Sequence, residues 1–150
     1  MKSKKTKPQR YYIEDIKVGQ KIKFSKRFTQ SEVNQFAEIS GDKNPVHLDE
    51  NFAENTVFKK KIVHGFLTAS LISAAIGTKL PGPGSIYLNQ SLRFLAPVFP
   101  NDKVVVELRV KKINLEKNRV IINTTCKCDE KNVLIGEAEI LVESKKNEAD

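Results

Sequence analysis

The chain has no tryptophan, a single methionine, two cysteines and two histidines among its 150 residues. Each scarcity excludes something. Cys126 and Cys128 are one residue apart in a strand-like run, so they share a face but sit too close along the chain for an easy bridge. A disulfide framework is excluded. With only His47 and His64 to add, a structural zinc site is not expected either. The cysteines read as reduced, partly buried thiols in a reducing compartment. Aromatics are only 7% of the chain, too few to interleave with Lys and Arg as an RNA-binding sheet requires. The longest apolar stretch, residues 66–80, is interrupted by Thr68, Ser70, Ser73, Gly77, Thr78 and Lys79. It falls short of the roughly 20 apolar residues that span a bilayer. No apolar run follows the first residues, so no secretory signal is expected. The expected compartment is the cytoplasm, or the mitochondrion in a eukaryotic source.

What is present describes a globular domain. Apolar residues make up 39% and charged residues 29%, and this length suits one domain with one core. The net charge of +8 suggests nucleic acid, but five of those charges are Lys2, Lys4, Lys5, Lys7 and Arg10. The rest of the chain nets only +3. Residues 1–12 read as a flexible basic tail, 13–143 as a single domain and 144–150 as a charged tail. No nucleic-acid or membrane partner is expected.

Within the domain the periodicity changes once. Residues 21–28 alternate as a strand. Thr29 or Ser31 can cap a helix over 32–39 that Gly41 stops, and 49–55 read as a short helical turn. Residues 65–79 predict the longest helix, apolar nearly all round and therefore buried, with a small-residue face of Ser70, Ser73, Ala74 and Gly77. After Pro81-Gly82-Pro83-Gly84 the alternation has period two to the end. Turns at 115–118 and 129–132 divide it into a four-strand meander that begins at Ile86. The class is α+β, an antiparallel sheet covering one helix. One sheet and one helix leave an edge or a face bare, which predicts a homodimer.

The segment Gly41-Asp42-Lys43-Asn44-Pro45-Val46-His47 concentrates the chemistry. Gly41 ends a helix and Pro45 holds Asn44 extended, so the segment is not expected to be regular helix. It can bend a carboxylate and an imidazole towards one point. Asp42 and His47 are then an acid/base pair able to take and return a proton near neutral pH. Val63-His64-Gly65 opens the long helix. Its first N–H groups are unpaired and lie at the positive helix end, a ready site for a developing oxyanion. Gly65 lets a carbonyl approach where a Cβ would obstruct it. His64, beside those donors, reads as structural. Lys59-Lys60-Lys61 reads as a solvated loop, or as a patch for phosphates or an acidic carrier.

These residues carry a resemblance. Phe36-Ala37-Glu38-Ile39-Ser40-Gly41-Asp42-Lys43-Asn44-Pro45-Val46-His47-Leu48-Asp49 resembles the hydratase 2 motif of MaoC-like (R)-specific enoyl-CoA hydratases and 3-hydroxyacyl-thioester dehydratases. Ile62-Val63-His64-Gly65, Leu80-Pro81-Gly82-Pro83-Gly84-Ser85 and Ser91-Leu92-Arg93-Phe94-Leu95-Ala96-Pro97-Val98 are similar to the family's later blocks, in order. The resemblance implies a hot-dog fold, with the sheet wrapped around the long helix and two sheets joined edge to edge in a homodimer. It implies reversible hydration of a trans-2-enoyl thioester to the (3R)-3-hydroxyacyl thioester. Asp42 and His47 would hold the water, the Gly65 N–H would polarise the thioester carbonyl, and Ser73 and Ile76 would shape the acyl pocket. No metal or prosthetic group is implied, because coenzyme A or acyl carrier protein is part of the substrate. Coenzyme A is the expected carrier. The alternatives are the acyl-carrier-protein dehydratase of fatty-acid synthesis and a hot-dog thioesterase, which would not need His47.

Overall fold

The computed structural model describes residues 10–148, and the basic segment 1–9 lies outside them. Arg10 pairs with Glu143, and the Tyr11 N–H donates to Pro81 O at 2.9 Å. At the other end Ser144 is buried with its hydroxyl on Glu14, and Lys145 meets Asp15 at 2.6 Å. Residues 10–12 and 144–146, expected as tails, therefore pack on the domain. Specific pairing between the two ends, invisible in their composition, holds them there.

The described residues form a six-stranded antiparallel sheet from β1 (Lys21–Arg27), β2 (Ile86–Gln90), β3 (Arg93–Phe94), β4 (Lys103–Asn114), β5 (Arg119–Cys128) and β6 (Lys131–Leu141). Four helices precede β2: α1 (Gln30–Ser40), α2 (Pro45–Leu48), α3 (Glu50–Glu54) and α4 (Gly65–Thr78). The inward residues of β4 and β5, Val104, Val106, Leu108, Val120 and Ile122, are fully buried and receive α4. The expected α+β architecture, a sheet wrapped around one long helix, is what the chain adopts.

Strand order corrects the expected meander. The order is β1-β4-β5-β6-β2, with β3 also on β6. Only β4, β5 and β6 run consecutively; β2 lies beyond β6, and β1 occupies the flank of β4. Alternation records which face a residue presents but not which strand lies beside it. The run from Ile86 to Phe94 is also split in two. Ser91 departs from the ladder: its N–H donates to Glu137 O and its Oγ accepts the Glu137 N–H, both at 2.9 Å. The Ser91 carbonyl presses against Gly136, where a Cβ would lie 1.8 Å from the oxygen. Only glycine fits there.

α4 is less enclosed than its composition predicts. Leu67, Leu71, Ile72, Ala75 and Ile76 are buried, while Phe66 is 67% exposed and Ser70, Ser73, Ala74 and Gly77 also face outward. One sheet covers one side of a helix. The small-residue face therefore lies open, and β2, at the sheet's edge, exposes Ile86, Tyr87 and Leu88. Cys126 and Cys128 are free thiols, Cys126 buried with burial pushing its pKa up to about 12.

Candidate active site

α1 delivers Asp42. Thr29 Oγ1 accepts the Glu32 N–H at 3.1 Å and Glu32 accepts the Thr29 N–H at 3.0 Å, a reciprocal cap that sets the start. Gly41 ends the helix in the left-handed region at φ 78°. The turn that follows is built from side chains. Ser40 Oγ accepts the Asp42 N–H at 3.1 Å, and Asn44 Oδ1 accepts the Val46 N–H at 3.3 Å. Asn44 is thus the N-cap of α2, with Pro45 at its first position. The expectation of no regular helix holds only as far as Asn44. Pro45 restrains the residue before it, yet its own fixed φ suits the helix it starts.

His47 faces inward from that single turn and is buried. Its Nδ1 lies 2.8 Å from Ile62 O. A carbonyl only accepts, so Nδ1 carries the hydrogen and Nε2 of the neutral ring is bare. Burial holds the His47 pKa below its ordinary 6.5. Nearby His64 adds to the lowering, while the Ile62 bond and Asp42 oppose it. The neutral ring is therefore the form present at pH 7.

His64, read from the sequence as structural, is part of this cluster. It is 1% exposed, and its ring stacks on His47 with centroids 3.8 Å apart and planes 25° apart. Phe36 closes its other side edge-on at 4.7 Å. Its Nε2 donates to the Asp42 carbonyl oxygen at 2.9 Å, so one imidazole ties the bend carrying Asp42 to the ring of His47. One ligand-type atom from each of Asp42, His47 and His64 lies within 4.8 Å of the others. The donor types would suit a metal, but the geometry does not. Imidazole lone pairs lie in their own ring planes, and two stacked planes do not meet at an ion about 2 Å from both nitrogens. A carboxylate beside a neutral imidazole is a pair able to move a proton.

Gly65 is the first residue of α4, and its N-cap, His64, provides no side-chain hydrogen bond. The early N–H groups are thus left without a side-chain cap. A cleft of about 470 Å³ opens beside them, lined by Phe58, Ile62, Gly65, Phe66, Thr68 and Phe94 among others. The Phe94 ring rests on Gly65, where a Cβ would lie 2.6 Å from Cε1. The glycine thus admits an aromatic ring.

Ser73 and Ile76 stand apart from this cleft. Ile76 is 1% exposed within the core, and Ser73 is on the open face of α4. Neither lines the cleft. Lys59 and Lys60 are exposed just before Ile62, and Lys60 Nζ lies 5.1 Å from the Phe99 ring centroid. A larger hollow of about 610 Å³ lies over β4, β5 and β6 among Arg93, Glu107, Arg109 and Glu137, and contains none of these site residues.

The family model described as MaoC like domain matches residues 14–132, which include Asp42, His47, His64 and Gly65. The chain belongs to the MaoC-like family. An (R)-specific enoyl-CoA hydratase of Rhodospirillum rubrum is 47% identical over 132 residues, covering 88% of this chain and 92% of that protein. A 3-hydroxybutyryl-CoA dehydratase of Methylorubrum extorquens is 47% identical over 139 residues, 93% of this chain and 88% of that one. Among solved structures, an (R)-hydratase from Aeromonas caviae involved in PHA biosynthesis superposes with a TM-score of 0.84 at 44% identity. The superposition covers 86% of this chain and 98% of the other. The fold of this MaoC-like domain is accordingly the hot-dog fold. His64 is the member of this cluster that the sequence left as structural. The motif Val63-His64-Gly65 marks a helix start, but nothing in its spacing signals a ring stacked on His47.

Proposed function

We propose that this MaoC-like protein is an (R)-specific hydratase/dehydratase that interconverts trans-2-enoyl and (3R)-3-hydroxyacyl thioesters, with coenzyme A as carrier. One observation carries the proposal: a neutral His47 whose Nδ1–H is committed to Ile62 O, presented with Asp42 beside a helix start. In hydration, water sits between Asp42 and the bare Nε2 of His47. Nε2 accepts its proton as the oxygen bonds to C3. The C2–C3 π electrons move towards the thioester oxygen, where the Gly65 N–H stabilises the growing charge. C2 then takes a proton from the Asp42–His47 side, and the carbonyl re-forms. Dehydration is the same path reversed. The elements of water add with no net oxidation or reduction, so no redox cofactor enters this scheme. The (R) stereochemistry and the coenzyme A carrier are supported by the names and high identity of the two relatives above.

The reading extends to a homodimer. The open face of α4 and the exposed apolar edge of β2 are the surfaces a second copy would cover. Ser73 lies on that face, so we place its expected acyl-shaping role at the dimer boundary, while Ile76 is buried on the core side of α4. Among the described residues no helix is long and apolar enough to cross a membrane, and the free thiols fit the cytoplasm. The test mixes purified protein with crotonyl-CoA and follows the conjugated enoyl absorbance. Its loss, without release of free thiol, is the expected result. Thiol release instead would replace the hydratase with a thioesterase.

A further inference from the structure

Two buried side-chain polar atoms among the described residues have no partner: His64 Nδ1 and Thr68 Oγ1. Leaving such an atom unpaired is costly, so its persistence asks for a use. Other hydroxyls on α4 avoid that cost. Ser70 Oγ donates to Leu67 O at 2.5 Å and Thr78 Oγ1 to Ala74 O at 2.7 Å, the local bonds open to helical hydroxyls. Thr68 has the same option at His64 O, which accepts its N–H at 3.1 Å but not its hydroxyl.

Thr68 borders the cleft, with its unpaired hydroxyl buried just behind the cleft wall. Thr68 is 3% exposed and lines the 470 Å³ cleft together with Gly65. Every other side chain in that lining is apolar. Thr68 lies three residues after Gly65, hence on the same side of the helix. Helical side chains lean towards the N-terminus, so the Thr68 side chain lies over the turn that Gly65 begins.

We propose that Thr68 contacts substrate, its hydroxyl donating to the thioester carbonyl oxygen beside the Gly65 N–H. The assignment of a thioester rests on the hydratase reading above. Two donors would then meet the oxygen on which charge grows, one from the backbone and one from a side chain held unpaired until substrate arrives.

The variants Thr68→Val and Thr68→Ser separate this role from packing. Valine keeps the shape and removes an atom that has no partner, so the melting temperature should stay level or rise. The value of kcat/KM for crotonyl-CoA should fall about 10- to 100-fold in Thr68→Val, while Thr68→Ser stays near wild type. Affinity for butyryl-CoA, a saturated thioester that does not react, should weaken severalfold in the valine variant by calorimetry. Unchanged kinetics and affinity in Thr68→Val overturn the proposal, as does an equal loss in both variants. A clear drop in melting temperature also overturns it, since the hydroxyl would then have a structural partner. If wild type binds butyryl-CoA but leaves crotonyl-CoA unchanged, the hydratase reading fails, and the Thr68 contact is judged by butyryl-CoA affinity. Wild type that binds neither overturns both.

Discussion

Replacing Gly65 by alanine separates the two tasks of the α4 start, packing and charge stabilisation. The added Cβ would lie 2.6 Å from Phe94 Cε1 and 2.8 Å from Cδ1, about 1 Å inside the usual carbon–carbon separation. Phe94 is 48% exposed, so its ring can swing outward instead of straining the core. Overpacking in a rigid interior costs about 1–3 kcal/mol, and a movable ring brings the cost to the low end. Alanine recovers up to about 1 kcal/mol of helix propensity over glycine. The two effects nearly cancel, so the melting temperature should move by no more than a few degrees. Catalysis has no such compensation. The Cβ occupies the approach to the first N–H, and losing one oxyanion donor costs about 100- to 1,000-fold in kcat, or roughly 3–4 kcal/mol. Initial rates with crotonyl-CoA and a thermal melt on the same preparations test this. A rate within threefold of wild type at unchanged stability would refute the assignment of the Gly65 N–H. A collapse in stability would show that Phe94 cannot move and that the glycine serves packing.

Acidity should weaken both rate and fold through His47. Its folded pKa lies below 6.5, so the unfolded chain binds the extra proton first, and stability declines as pH falls from 6.5 towards the folded value. In the same direction kcat/KM should decline with a midpoint below 6.5, and a midpoint at or above 6.5 contradicts a buried neutral ring. Gly136→Ala should lower stability by about 3 kcal/mol or more, because the clash at 1.8 Å is with backbone oxygen and the Ser91–Glu137 pair of hydrogen bonds cannot yield freely; a urea unfolding curve matching wild type contradicts it. Changing Lys59, Lys60 and Lys61 together to alanine should raise the Michaelis constant for the coenzyme A substrate and leave kcat in place, and an unchanged constant returns the patch to a solvated loop.

What could be foreseen in the sequence was local. Thr29 and Glu32 announce the start of α1, Gly41 its end, and Gly41 to His47 the bend that carries Asp42 and His47, because each depends on neighbours within a few residues. Two things escaped: the place of β2 beyond β6, and the stack of His64 on His47. Both are long-range juxtapositions. Alternation in β2 is the same whichever strand lies beside it, and seventeen residues of chain, through α3 and the lysine loop, return His64 to His47. The helix α4 misled for a related reason. Its apolar composition does not say which side the sheet will cover, and the sheet covers one side only.

The most direct test of the account is the hydration of crotonyl-CoA by wild type beside Asp42→Asn and His47→Asn. Wild type should remove the enoyl absorbance and yield the (3R)-3-hydroxyacyl thioester, resolved by chiral analysis. Each variant should be slower by about 100-fold or more while still folded. Wild type without hydration, or either variant at near-normal rate, would contradict the roles given to Asp42 and His47.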